Sequence, residues 1–204
     1  MRTTDTTRRE QMLNIRRELE RMLVTATSAD GLVRVVVGGR GEFRDVWLDP
    51  RVLRRPDGAA LADEVVRTAE EAGNRAAAEA GELVRPLVGR RRGEPVDVIF
   101  DPALAELDRC LARRPELPQM NGMPVCDRPD YAAYKRMLIE ARDRLAAAAA
   151  TSVSPDGQVT ATGGGRGELI GLTLHDRVFR RSDSRWLAAA IVATAHDAVA
   201  KVNR

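Results

Sequence analysis

The sequence predicts an α+β protein in which one helix–three-strand–helix module occurs twice in tandem, with an irregular stretch between the copies. Three observations lead there. Residues 30–53, DGLVRVVVGGRGEFRDVWLDPRVL, return 126 positions later as residues 156–179, DGQVTATGGGRGELIGLTLHDRVF. Over 28–75 aligned with 154–201, about twenty of forty-eight positions are identical without a gap, which marks an internal repeat. Within each copy the hydrophobic period then changes from two to between three and four on both sides, so strands are flanked by amphipathic helices.

The strands come first in the argument. Asp30-Gly31 and Asp156-Gly157 are hairpin-turn dipeptides, because glycine tolerates positive φ and aspartate the position before it. After the first turn Val33, Val35 and Val37 alternate with Leu32, Arg34 and Val36; after the second, Val159 and Ala161 alternate with Gln158, Thr160 and Thr162. Gly38-Gly39-Arg40-Gly41 and residues 163–167 form another turn. The strand pattern resumes over 42–48 and 168–174, with Val46/Leu48 matched by Leu172/Leu174. If 24–28 and 150–154 supply the first strands, each copy is a three-stranded meander with one apolar face to cover.

Helices provide the cover. Met12, Ile15, Leu19, Met22 and Leu23 recur at spacings of three and four, and Leu138, Ala141, Leu145 and Ala148 repeat them in the second copy. The first helix is expected over about 8–23, after a disordered polar tip at 1–7. Downstream, Leu61, Val65, Val66, Ala69 and Ala72 predict a helix over about 59–84, and Leu187, Ile191, Val192, Ala195, Ala198 and Val199 predict its counterpart over 185–204. The modules are thus expected at 8–88 and 128–204, with an insert at 89–127. Between the copies, 96–100 reads as a short apolar strand, 103–113 as a short helix, and Pro115, Pro118, Asn121-Gly122, Pro124 and Pro129 as a structureless connector.

In their order and spacing these residues resemble the YbaB/EbfC family of bacterial nucleoid-associated proteins. The likeness rests on V-x-V-x-x-x-G-x-G-E, the strand ending Leu48-Asp49-Pro50, then Val52-Leu53, Asp57 and an Ala-rich last helix. It covers about 10–85 and 132–203. The second copy departs from the pattern at His175-Asp176, while keeping Arg166-Gly167-Glu168, Arg177-Val178 and Asp183. The resemblance implies a dimer of small modules that binds DNA with little sequence preference, and two fused copies would form that dimer within one chain. A bare sheet face and edge, which a second copy can cover, point the same way, to an intrachain pseudo-dimer.

Composition sets limits. With 44% hydrophobic, 31% charged and 3% aromatic residues the chain reads as a soluble globular protein with an aliphatic core. No run of about eighteen apolar residues exists to span a membrane, and the first residues lack the apolar stretch of an export signal. The expected location is the cytoplasm and, by the resemblance, the nucleoid. Cys110 and Cys126 stand outside the repeat with no C-x-x-C spacing, so no metal site is expected. The net charge of +3 is uneven: residues 1–88 hold 15 basic and 15 acidic groups, 89–127 hold 6 and 7, and 128–204 hold 12 and 8.

Local clusters matter more than the sum. Arg16, Arg17, Arg54 and Arg55 in the first copy, with Arg142, Arg144, Arg180 and Arg181 in the second, are the candidate DNA-contacting residues. Solvated helix faces explain such charges equally simply on helix 1, where Arg16/Glu20 is spaced to pair. Retention of three arginines in each of 51–55 and 177–181 exceeds what solubility asks. The first copy's last helix carries Asp63, Glu64, Glu70, Glu71, Glu79 and Glu82 against Arg67, Arg75 and Arg85, so at about −3 it should avoid phosphates.

Other chemistries find less support. The Gly38–Glu42 turn lacks the G-x-x-x-x-G-K-S/T spacing of a phosphate loop and precedes a strand. His175 and His196 are the only neutral-pH acid–base candidates, have no counterparts in the first copy, and read as a strand-end residue and an exposed His196-Asp197 pair. No catalytic residues, cofactor or small-molecule substrate are therefore expected. The expected partner is double-stranded DNA, with self-association as a further possibility. A protein–protein scaffold using the same fold is the competing reading, favoured by the neutral first half.

Overall fold

A computed structural model describes residues 2–54, 56–91, 93–112, 131–181 and 183–202. In chain order it contains α1 (Arg2–Arg21), β1 (Leu23–Thr27), β2 (Val33–Gly38), β3 (Phe43–Leu48), a 3₁₀ turn (Pro50–Arg54) and α2 (Gly58–Val88). Next comes α3 (Asp101–Ala112). Then follow α4 (Tyr131–Ala147), β4 (Ala149–Val153), β5 (Val159–Gly164), β6 (Leu169–Leu174), a second 3₁₀ turn (Asp176–Arg180) and α5 (Ser184–Val202). The fold is α+β, with two antiparallel meanders ordered β1-β2-β3 and β4-β5-β6.

Repeated residues make repeated structure. Ser28 donates its hydroxyl to Asp30 at 2.7 Å and accepts from Val33 N–H at 2.9 Å, and Ser154 does the same with Asp156 and Val159. Gly31 and Gly157 close these turns at φ +72° and +70°. Both second hairpins carry a register shift, at Val36/Val37 and at Thr162/Gly163, where one extra residue bends the strand. Thr68 and Thr194 each donate to the carbonyl four residues back, at 2.7 Å.

The two sheets share one core. Alternate residues Val33, Val35 and Val37 are buried on the face that meets α2, and the core runs on without a break through Val159, Ala161, Leu169, Leu174, Leu187 and Ile191. α2 lies across β1 and β2 of its own sheet and β6 of the other; α5 lies across β4, β5 and, reciprocally, β3. Each last helix therefore closes the other copy's sheet, and the arrangement is the pseudo-dimer expected from the repeat. Phe43 N–H donates to the Gly167 carbonyl at 2.9 Å where the two hairpins meet.

The first helices break this symmetry. Leu19 of α1 is buried with Ala80 and Val84 on the C-terminal turns of α2, which has 31 residues. With 19 residues, α5 offers no such surface, and α4 has no buried residue among those described, lying against α3 and the end of β5. Several expectations change in detail. Residues 2–7 continue α1 rather than forming a tip. The expected strand at 96–100 is a turn, because the Asp97 carboxylate accepts from Ile99 and Phe100 N–H and that of Asp101 accepts from Asp97 N–H, which curls the chain into α3. The connector, with Cys126, lies outside the described residues.

Candidate nucleic-acid interface

Each 3₁₀ turn begins on a side chain that caps it. Asp49 accepts from Arg51 N–H at 2.8 Å and pairs with its guanidinium at 2.9 Å; the Arg51 guanidinium holds the Asp49 carboxyl below its ordinary value, and Arg51 is raised in turn. In the second copy His175 Nδ1 accepts from Arg177 N–H at 3.1 Å. Histidine thus does aspartate's capping work, which accounts for the departure at His175-Asp176. Buried Val52 and Val178 anchor both turns in the core.

With the turn floors anchored, their arginines face water. Arg54, Arg180 and Arg181 are exposed, and Arg55 lies outside the described residues. Arg54 and Arg180 have no ion-pair partner within 4 Å among the described residues. Arg181 stacks on Trp186, 4.3 Å from the ring centre, which holds its guanidinium in place without occupying its N–H donors. Of the aspartates nearby, Asp57 accepts from Ala60 N–H and Asp183 from Arg185 and Trp186 N–H, while Asp176 is exposed. Carboxylates close to the chain and guanidinium groups at the end of long stems leave the positive charge outermost.

The two turns share one end of the molecule. A Cβ placed on Gly58 would lie 2.5 Å from the Leu174 carbonyl oxygen and 3.5 Å from the Asp176 carboxylate, so α2 starts against the second turn. Arg54 is four residues upstream, within about 14 Å of Gly58 even if extended. Arg180 lies about 8 Å along the second turn from Asp176. The arginines of both copies therefore fall within about 25 Å, roughly seven base pairs of duplex.

The helix arginines sit elsewhere. α1 ends on the β2–β3 hairpin, where Gly39 leaves room for the Leu19 carbonyl, and α4 ends on the matching hairpin at Gly165, whose N–H donates to Ala148. The length of β3, about 20 Å, separates this end from the turns. Here Arg16 pairs with Glu20 at 2.9 Å, Arg142 with Asp143 at 3.0 Å and Arg144 with Glu140 at 4.0 Å; Arg17 is exposed and has no ion pair among the described residues. The seven described candidates are thus two groups, not one.

Three exposed arginines in or beside the turns, Arg51, Arg177 and Arg185, were not among them. Arg177 belongs to the repeated triplet and was legible there. Arg185 has Ala59 as its counterpart, and only the start of α5 beside the turn gives it a place. His196 is not simply an exposed pair with Asp197: its Nε2 lies 3.2 Å from the Phe43 carbonyl, bridging the copies. On α2, Arg67–Glu64, Arg75–Glu71 and Arg85–Glu82 pair off, leaving Asp63, Glu70 and Glu79 as the uncompensated charges of an acidic face. Among the described residues no cluster of His, Cys, Asp or Glu could hold a metal ion, and no described helix is long and apolar enough to cross a membrane.

The sequence model of the YbaB/EbfC DNA-binding family matches residues 6–91 and 131–204, one match for each module. The chain belongs to the YbaB/EbfC DNA-binding family. Similar proteins include a nucleoid-associated protein of Saccharopolyspora erythraea, 35% identical over 85 residues, covering 41% of this chain and 72% of that one. One from Rhodococcus jostii is 32% identical over 80 residues (39% and 71%), and one from Dictyoglomus thermophilum 28% over 78 residues (38% and 75%). Each relative is thus aligned over less than half of this chain but most of its own, as expected where a YbaB/EbfC module has been doubled.

Proposed function

We propose that this protein is a non-catalytic nucleoid-associated protein that binds double-stranded DNA through the phosphate backbone with little sequence preference. The observation that carries the reading is the convergence of exposed Arg54, Arg180 and Arg181, from both copies, at one end of the pseudo-dimer. Arg55 joins them by sequence. Arg16, Arg17, Arg142 and Arg144 form a secondary contact at the hairpin end, weakened by their ion pairs. Membership in a DNA-binding family and the names of the relatives support DNA as the partner and the nucleoid, in the cytoplasm, as the location. In this reading the modules are 8–88 and 128–204, and 89–127 is an insert.

Guanidinium groups clamp phosphate oxygens with two N–H donors at once, and phosphates carry no sequence information. Both histidines have structural tasks: one caps a turn and the other bridges the copies. If about four to six phosphates are engaged, log affinity falls against log salt with a slope of about −4 to −5. Binding of a random-sequence duplex at two salt concentrations tests this. Arg180→Ala with Arg181→Ala should weaken every duplex alike and reduce the slope by about one or two. Glu70→Ala with Glu71→Ala should leave affinity intact or raise it. Binding indifferent to salt and to the arginine pair would transfer the function to a protein partner, for which the acidic face of α2 is the available surface.

A further inference from the structure

The two copies differ at the seam where their hairpins meet. On the α5 side the seam is filled. A Cβ placed on Gly163 would lie 2.8 Å from Val199 Cγ2, and one on Gly167 would lie 2.9 Å from Glu42 Cβ and 3.9 Å from Val199 Cγ1. His196 completes the closure by reaching the Phe43 carbonyl. On the α2 side the repeat puts Gly73 where Val199 stands and Glu70 where His196 stands. A cleft of about 510 Å³ remains there, and a Cβ on Gly41, the partner of Gly167, would meet nothing within 4 Å.

Packing does not require Gly73. A Cβ there also meets nothing within 4 Å, and glycine inside a helix costs about 1 kcal/mol relative to alanine. The cleft floor is apolar, made by Val37, Phe43 and Leu169, and its walls include Glu70 and Asn74 of α2 and Arg40 of the first hairpin, whose guanidinium also lies 3.9 Å from Glu20 of α1. In two further wall residues, Arg166 Nε and Glu168 Oε2 are buried without a hydrogen-bond partner among the described residues, while Arg166 Nη2 donates to the Asp97 carboxylate at 2.7 Å. Glu168 has lost the arginine its counterpart uses: Arg44 pairs with Glu42 at 2.6 Å, and Ile170 occupies that position in the second copy. Volume, apolar floor and a few converging polar groups are the attributes of a small-ligand site.

We propose that this cleft binds a flat heterocycle carrying hydrogen-bond donors and acceptors on its edge, the chemistry of a nucleobase, with guanine the best match. Guanine offers its N1 and N2 hydrogens to a carboxylate such as Glu70 and its O6 and N7 to a guanidinium such as Arg40, while its faces suit the apolar floor. The site is separate from the arginine turns and does not depend on the duplex reading.

The test is calorimetric titration of the full chain with guanosine, adenosine, cytidine and thymidine. Guanosine should bind most tightly. Gly73→Val, which installs the residue that fills the seam on the other side, should weaken guanosine by at least about tenfold without lowering the unfolding temperature or changing duplex affinity. Glu70→Gln should remove the preference for guanosine. Absence of heat with any of the four at millimolar concentration, equal affinity for all four, or binding that Gly73→Val does not alter would overturn the proposal. Because the Arg180/Arg181 arm of the duplex assay reads the opposite end of the molecule, the failure of that reading and the failure of this site are distinguishable.

Discussion

At the scale of single residues the repeat is kept by hydrogen bonds rather than by apolar contacts alone. Asp30 is held below the ordinary carboxylate value of 3.8 first by the Leu32 N–H and then by the Ser28 hydroxyl; Asp156 is held below it first by Ser154 and then by the Gln158 N–H. Asp49 is lowered likewise, first by Arg51. A depressed carboxyl binds its proton less tightly folded than unfolded, so its stabilisation is complete above the unfolded value and is lost as pH falls through the folded one. Chemical unfolding measured from about pH 5 down to pH 2.5 should show stability declining below pH 4. Asp30→Asn with Asp156→Asn, which keeps an acceptor but removes the titration, should flatten that decline. An unchanged slope would mean that other carboxylates govern acid unfolding.

At the scale of elements the copies are unequal because their helices have unequal neighbours. Leu19 and Leu145 occupy matching positions, yet Leu19 is 6% exposed against α2, while Leu145 has no equally long helix to pack on and is half-buried. Truncation of a buried leucine loses its transfer free energy and leaves a cavity. Leu19→Ala should cost about 2–4 kcal/mol and Leu145→Ala less than about 1.5 kcal/mol in equilibrium denaturation. Equal losses would show that α4 packs as α1 does. The ends of both helices are constrained alike, since a Cβ on Gly39 would lie 2.6 Å from the Leu19 carbonyl oxygen and one on Gly165 would strike that of Leu145.

For the whole molecule, a core continuous through both sheets makes the modules interdependent. Separated from its twin, residues 1–88 would present the strip of α2 that now lies on β6, and residues 128–204 the strip of α5 that lies on β3. Circular dichroism and sedimentation of the two fragments should find them partly unfolded or associating with each other on mixing. Two well-folded monomers without mutual affinity would contradict a shared core. The intact chain has its dimer interface satisfied internally, so light scattering at micromolar concentration should return about the 22.4 kDa of one chain, or a weak dimer of it. A tight tetramer would mean that fusion left the family's interface in use.

What the sequence determined by itself is the repeat and everything local to it. Alternating valines, the Ser-x-Asp-Gly turns and helical spacing act between residues near in the chain, so both meanders, their flanking helices and the family could be read from order alone. The arginine triplets after each sheet were legible for the same reason, as was the acidic balance of α2. Tertiary structure alone decided which charges stand together. Arg54 and Arg180 are 126 positions apart and share one end only because α2 starts against the second turn, while Arg16 and Arg17, nearer in sequence to Arg54, end a strand's length away. The turn at 96–100, with a strand's composition, went to Asp97 and Asp101, whose carboxylates outcompete a ladder that had no partner strand. The open seam beside Gly73 had no local signature at all: a glycine in a helix acquires meaning only when the surface opposite it, supplied by both copies, is known.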